Sequence, residues 1–417
     1  MDRYGNDGRA NARSRGLTRR DLVSRSLAAA AGLTLGAGRT RAARAAAPTI
    51  NVGVLLPLSG ANAQFGINAR NGIELVADRI NAAGGIGALG GATINLVVAD
   101  ATSNPATAAT VAQRLITRNN VVAVLGAFAS SLTLAVSEVT ERRRIPLLTM
   151  SFSDQITGRG FKYVFQVVSK ASVIGKAQFE YTLGIAKAAG ETLDRVAIMY
   201  EDTAYGTSQA TGLRAAAKEA GVEVVMDEAY PLGITDVTPL IGKLRASGAR
   251  AVFPVSYLND SILIIRTMRQ QRVDIPAIGG AAGYVIPDFH RALGEYAEGV
   301  LSVNTSNYDL APEETQPFRE RYGYFMVHEA IEHAATMHLL ARALETAKSD
   351  RPDAVREALA AGRVCDGIVK ALPGGCVAFD QTGLNTETYP IMVQWRGAEL
   401  VTVYPETVAR AKPIWRS

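Results

Sequence analysis

From Thr49 onward the chain alternates apolar runs of strand length with segments of helix length, and this alternation constrains the fold most strongly. The run "INVGVLLPL" (50–58) is continuously apolar, as a strand buried on both faces must be. "AQFGINARNGIELVADRINAAGG" (63–85) has apolar positions at helical spacing and ends in a glycine pair suited to a C-cap. "TINLVVAD" predicts a strand and "NPATAATVAQRLITRN" a helix, with Asn104 as cap and Pro105 at the first position. Strand "VVAVLG", helix "SLTLAVSEVTERR" and strand "IPLLTMS" follow. After "YVFQVVS" the pattern restarts, with helices over 172–189, 205–220, 237–247 and 259–271 between the strands "RVAIMYED", "VEVVMDEAY", "AVFPVSY" and "IPAIGG".

Strands alternating with helices predict an α/β fold of parallel sheets covered on both faces. Two successive sets predict two doubly wound parallel-sheet lobes. The remainder contains a helical stretch around Gln316–Ala347 and a helix begun by Pro352. A strand-rich tail, "YPIMVQWRGAELVTVYP", has its hairpin turn at Arg396–Gly397.

The amino terminus reads as an address. The apolar run from Leu27 to Gly38 is shorter than the roughly 20 residues of a membrane-spanning helix and ends among Arg39, Arg41 and Arg44. A basic start, a short apolar middle and the small residues Ala45 to Ala47 before Pro48 have the layout of an export signal. Thr18-Arg19-Arg20-Asp21-Leu22 resembles the twin-arginine type. Residues 1–47 are therefore expected to be removed, leaving a periplasmic chain. No cysteine lies near the cleavage point, so no lipid anchor is expected there. Residues 1–47 hold ten arginines and three aspartates, so the chain's 44 basic and 39 acidic residues reduce to 34 and 36. The basic balance thus belongs to the signal, and the argument for a nucleic-acid partner goes with it. The cysteines Cys365 and Cys376, in an oxidising compartment, are expected to form a disulfide, with two free thiols as the alternative.

In open parallel sheets, ligands bind beyond the carboxyl ends of the strands. Six strand-to-helix turns are therefore candidates: 58–66, 126–133, 149–154, 201–208, 256–260 and 279–284. Small, hydroxyl and aromatic residues dominate them. In "GAFASSLT" Ser130 and Ser131 open a helix, where free N–H groups and hydroxyls suit a carboxylate. Phe65, Phe128, Phe152, Tyr205, Tyr257 and Tyr284 are candidate cleft rings.

Enzymatic readings find little. "HEAIEH" (328–333) spaces its histidines five apart, whereas a zinc-protease helix needs them four apart on one face. His328, His333 and His338 read instead as helix-surface or lobe-interface residues. "GGIGALGG" (84–91) follows a helix and precedes a strand, the reverse of a dinucleotide loop. No catalytic residue, metal site or cofactor is expected.

Taken together, "INVGVLLPLSGANAQFG", "NPATAATVAQRLI", "VAVLGAFASSLTLAVSEV", "VAIMYEDTAYGTSQATGLRAAAKEAG" and "PDAVREALAAG" resemble the leucine/isoleucine/valine-binding family of periplasmic solute-binding proteins, across residues 49–417. The resemblance implies a monomer with a ligand cleft between two lobes joined by three hinge crossings, near residues 167, 302 and 373. Lobe 1 would comprise 48–167 and 302–373, and lobe 2 168–301 and 374–417. It implies a small-molecule ligand, an ABC permease as partner and no stable membrane anchor. A periplasmic sensor serving a receptor stays open as the alternative. By position, the family's binding residues fall on Phe65, Ser130 with Ser131, Ser151 to Ser153, Tyr205, Tyr257 and Ala281. Amino-acid binders hold the ligand's ammonium with acids, and those positions carry Ala171 and Ala281 here. Glu201, Asp202 and Asp260 lie near candidate turns as possible substitutes. The expectation is a carboxylate-end match without an ammonium-end match.

Overall fold

A computed structural model describes residues 48–415, so the export signal expected over 1–47 lies outside the described residues. The first sheet holds five parallel strands: β1 Thr49–Leu56, β2 Thr93–Asp100, β3 Val124–Gly126, β4 Leu147–Thr149 and β5 Val164–Gln166, in the order β2-β1-β3-β4-β5. Central β1 pairs with β2 over its whole length and with β3 from Gly53↔Val124. Its Val52, Val54, Leu55 and Leu56 are fully buried, which is why its sequence shows no polar alternation.

The second sheet repeats this topology. Its strands are β6 Arg195–Glu201, β7 Glu223–Tyr230, β8 Ala251–Val255, β9 Ile278–Gly279 and β10 Leu301–Asn304. The order is β7-β6-β8, continued to β9 and β10 through the bridge Val252↔Ala277. After the small ribbon β11 Arg363–Val364 and β12 Val377–Ala378, the tail adds β13 Ile391–Arg396 and β14 Glu399–Tyr404 as an antiparallel edge on β10. The hairpin turn is Gly397–Ala398, one residue beyond the expected pair, because Arg396 pairs with Glu399.

Local signals act as their chemistry requires. Asn104 Oδ1 accepts the Thr107 N–H at 3.0 Å and starts the helix Pro105–Asn119. Gly66 opens the helix Ala63–Ala82 so close to β1 that a Cβ there would sit 1.9 Å from the Pro57 carbonyl oxygen. The long helical stretch expected over 316–347 is two helices, Pro312–Tyr322 and His328–Ala347. They divide after Tyr322, where Gly323 turns left-handed at φ 81°. Cys365 and Cys376 are bonded, S–S 2.09 Å, beside the β11–β12 ribbon.

The chain leaves the first sheet after β5 and enters the helix Ala171–Ala188. Residue 302, the expected second crossing, instead lies inside β10, where Ser302 pairs with Gly279 and Val393. The chain departs only after Asn304. The third crossing also falls later than 373. Leu384 bridges Gln166, and Asn385 bonds the backbone of Gln166 and Val167, so this stretch stays on the edge of the first sheet until the chain reaches β13. Two-residue strands such as β12 are too short to leave a periodic trace in sequence.

Candidate functional site

The strand orders 2-1-3-4-5 and 7-6-8-9-10 place switch points between β1 and β3 and between β6 and β8. The turns beyond those strands meet face to face. Phe65 follows β1 and stacks on Phe128, which follows β3, with centroids 4.6 Å apart. Tyr257, which follows β8, lies 6.2 Å from both and 5.4 Å from Tyr205, which follows β6. Phe152, which follows β4, packs on Tyr205 at 5.7 Å. The five rings thus form one cluster with members from both sheets.

Beside them lies a narrow cavity, with about 10 Å³ open to the centre of a water molecule, lined by Phe128, Ser130, Met150, Phe152, Tyr205, Tyr257 and Ala282. The sheets also meet directly through the hydroxyls of Ser153 and Ser208, 3.2 Å apart. Ser130 lies at the start of the helix Ser130–Arg143, and its hydroxyl accepts the Ser153 N–H at 3.1 Å. Phe128 carries a left-handed φ of 68°, a conformation that strains a bulky residue. Its carbonyl accepts the Ser151 hydroxyl at 2.6 Å, which pins it there.

Electrostatics distinguish the two sides. Burial holds the phenols of Tyr205 and Tyr257 well above their usual range, so both stay neutral donors. The Tyr205 hydroxyl donates to the Gly280 carbonyl. At Tyr257 burial is the main cause, and the nearby Glu201 carboxylate adds to it.

The expected residues divide. Ser130, Tyr205 and Tyr257 line the cavity, with Ser153 and Phe65 in the next layer. Ser131 sits half-buried in the first turn of its helix. Ser151 is turned inward: its hydroxyl donates to Phe128 and meets those of Thr133 and Thr149, which leaves it no free donor for a ligand. Tyr284 departs from expectation, donating or accepting at Ser256 and packing on Phe289 within the second lobe. Ala281 is buried, and its N–H donates to the Ser302 hydroxyl; the adjacent Ala282 lines the cavity. Met150, Ala282 and Ser208 were missed. Ser208 is three residues beyond Tyr205, on the same helix face, which is the signal that marks it.

None of the three substitute acids lines the cavity, and Asp260 alone keeps a buried oxygen, Oδ1, without a partner. Both oxygens of Glu201 cap the helix Ala204–Glu219, accepting the Thr203 and Gly206 N–H groups at 2.7 Å each. Asp260 bonds the Gly233 N–H, and burial raises its pKa to about 6. Asp202 is exposed and accepts the Leu232 N–H. His328 and His333 are fully buried, and only His338 reaches the surface, beside Asp366.

Two lobes of repeated topology meet at their strand carboxyl ends over a small aromatic cavity, the architecture of a two-lobed binding protein. The family model for periplasmic binding proteins matches residues 49–398. Leu/Ile/Val-binding protein homolog 8 of Brucella melitensis is 33% identical over 385 residues, covering 88% of this chain and 93% of the relative. LivJ of Streptococcus pneumoniae, a branched-chain amino acid transporter substrate-binding protein solved with isoleucine, superposes with a TM-score of 0.76 at 24% identity, covering 86% of this chain and 100% of that one. A solute-binding protein from R. palustris solved with benzoate gives 0.75 at 19% identity, over 85% and 95%. The chain belongs to the periplasmic binding proteins of the leucine/isoleucine/valine-binding family, the solute-binding components of branched-chain-amino-acid-type ABC transporters.

Proposed function

We propose that this protein captures a small solute with a carboxylate or amide end and an aromatic or short apolar body, and not a typical branched-chain amino acid. The observation that carries this reading is the chemistry around the cavity. Ser130 and its helix start supply donors for an anionic or carbonyl oxygen, and aromatic rings form most of the wall. No acid lines the cavity, both oxygens of Glu201 are taken by backbone N–H groups, and alanine stands at both positions where the resemblance places an acid. An ammonium buried there without a carboxylate would be strongly disfavoured. The R. palustris protein described with benzoate indicates that this fold accommodates an aromatic acid.

In the same reading the chain is exported by its twin-arginine signal, works as a periplasmic monomer and hands its ligand to an inner-membrane permease. No described helix is long and apolar enough to cross a membrane. Ser130, Ser153, Tyr205 and Tyr257 would contact the solute as the lobes close. Equilibrium calorimetry of the purified chain against benzoate, substituted benzoates, leucine, isoleucine and valine tests the proposal. Aromatic acids should bind and the branched-chain amino acids should not; tight binding of leucine with inert aromatic acids defeats it.

A further inference from the structure

We propose that closure of the lobes takes up a proton, held by a fully buried cluster of His328, Glu329 and Glu332 at the second crossing. The inference rests on the two-lobed closure read above but not on the ligand's identity.

The cluster lies on the first lobe beside the second crossing, beneath a ring that faces the cleft. Glu332 Oε1 accepts the hydroxyls of Thr305 at 2.5 Å and Ser306 at 2.9 Å, on the segment that leaves β10 for the first lobe. Glu329 Oε1 accepts the Asn68 side-chain N–H at 2.7 Å, from the helix Ala63–Ala82. The His328 ring stacks on Phe152, a wall of the cavity, at 6.2 Å. His328 faces Glu329 at 3.2 Å and Glu332 at 3.6 Å, without the alignment of a hydrogen bond to either. One oxygen of each carboxylate is also without a partner. The arrangement does not form a metal-holding group among the described residues.

The charge balance forces a proton into this space. Two carboxylates against one imidazole leave a net negative charge when all are ionised. Its neighbours are uncharged: Asn68, the Tyr324 phenol bonded through Asn68, Asn304, Thr305, Ser306 and the Phe152 ring. His333, one turn along the same helix, is kept neutral because burial lowers its pKa to about 4. No lysine or arginine bonds or pairs with the cluster among the described residues. A buried unpaired charge is strongly disfavoured. Burial raises the Glu329 carboxyl to about 7. At His328 burial acts downward and the two carboxylates upward, and the carboxylates prevail.

The sign follows. Opening the cleft admits water to Phe152 and the crossing segment, which relaxes the burial that holds the extra proton. The closed form therefore has the higher proton affinity, so closure is favoured at low pH and weakens as pH rises through about 7. A single linked proton changes the closed-to-open ratio by at most about ten-fold per pH unit.

Energy transfer between dyes on Val98→Cys and Leu232→Cys, exposed positions on opposite lobes, reads closure with no ligand present. From pH 6 to pH 8.5 the closed fraction should fall several-fold in the otherwise unaltered chain and stay flat in Glu329→Gln. Identical pH profiles for the two overturn the proposal. If Glu329→Gln does not fold, Asn68→Ala removes the side-chain donor from Glu329 without touching a charge. It should move the midpoint of the profile to higher pH, and an unmoved midpoint overturns the proposal equally. Failure of benzoate to bind leaves this reading of closure intact, so the two ideas fail separately.

Discussion

Ser130 joins two jobs at one position: its hydroxyl holds the Ser153 N–H while its own N–H stands at an uncapped helix start beside Tyr257. Ser130→Ala should therefore weaken ligand binding by about 1–2 kcal/mol through a lost charge-assisted hydrogen bond. Calorimetry checks this against an unchanged unfolding midpoint. Tyr205→Ala, which removes a cavity wall, should cost at least as much. His333 gives a stability prediction. Its folded pKa is about 4, below the roughly 6.5 of a free histidine, so between these values the unfolded chain holds more protons. Its contribution is present above that window and is lost as pH falls through it. Urea unfolding from pH 6.5 to pH 4 should show a shallower pH slope in His333→Asn than in the unaltered chain. At this scale the sequence was partly legible. Aromatic and serine identities at strand ends pointed to the cavity, but the inward turn of Ser151 depends on Thr133 and Thr149, which only the folded packing brings together.

At the scale of elements, the long apolar strands and capped helices were readable because burial on both faces leaves an unbroken apolar run and a cap needs one specific side chain. β1 and the helix begun at Asn104 show both. The ribbon β11–β12 and the late third crossing were not readable, since they depend on a backbone bridge between Leu384 and Gln166 rather than on a side-chain pattern. The disulfide beside that ribbon closes an eleven-residue separation. Replacing both cysteines by alanine should lower stability by roughly 2–3 kcal/mol, measured by urea unfolding. Reductant should lower the thermal midpoint of the unaltered chain and leave that of the double variant unmoved.

For the whole molecule, ligand capture needs the two sheets to move relative to each other about the crossings and meet at the ring cluster. The Ser153 and Ser208 hydroxyls, 3.2 Å apart across the cleft, offer a direct lock. In S153C/S208C, oxidation should form a cross-lobe disulfide that stops ligand exchange, and reduction should restore it. The repeated strand order was legible as two successive strand–helix sets. Their closing face was legible only as an expectation from switch-point geometry, because ring-to-ring contacts such as Phe152 on Tyr205 join residues from separate lobes.

The most direct test is native mass spectrometry of the small molecule that travels with the purified chain. A hinged clamp whose site offers hydroxyl, N–H and aromatic contacts but no acid should release a carboxylic acid or amide that lacks an ammonium group. Recovery of leucine, isoleucine, valine or another α-amino acid would contradict it.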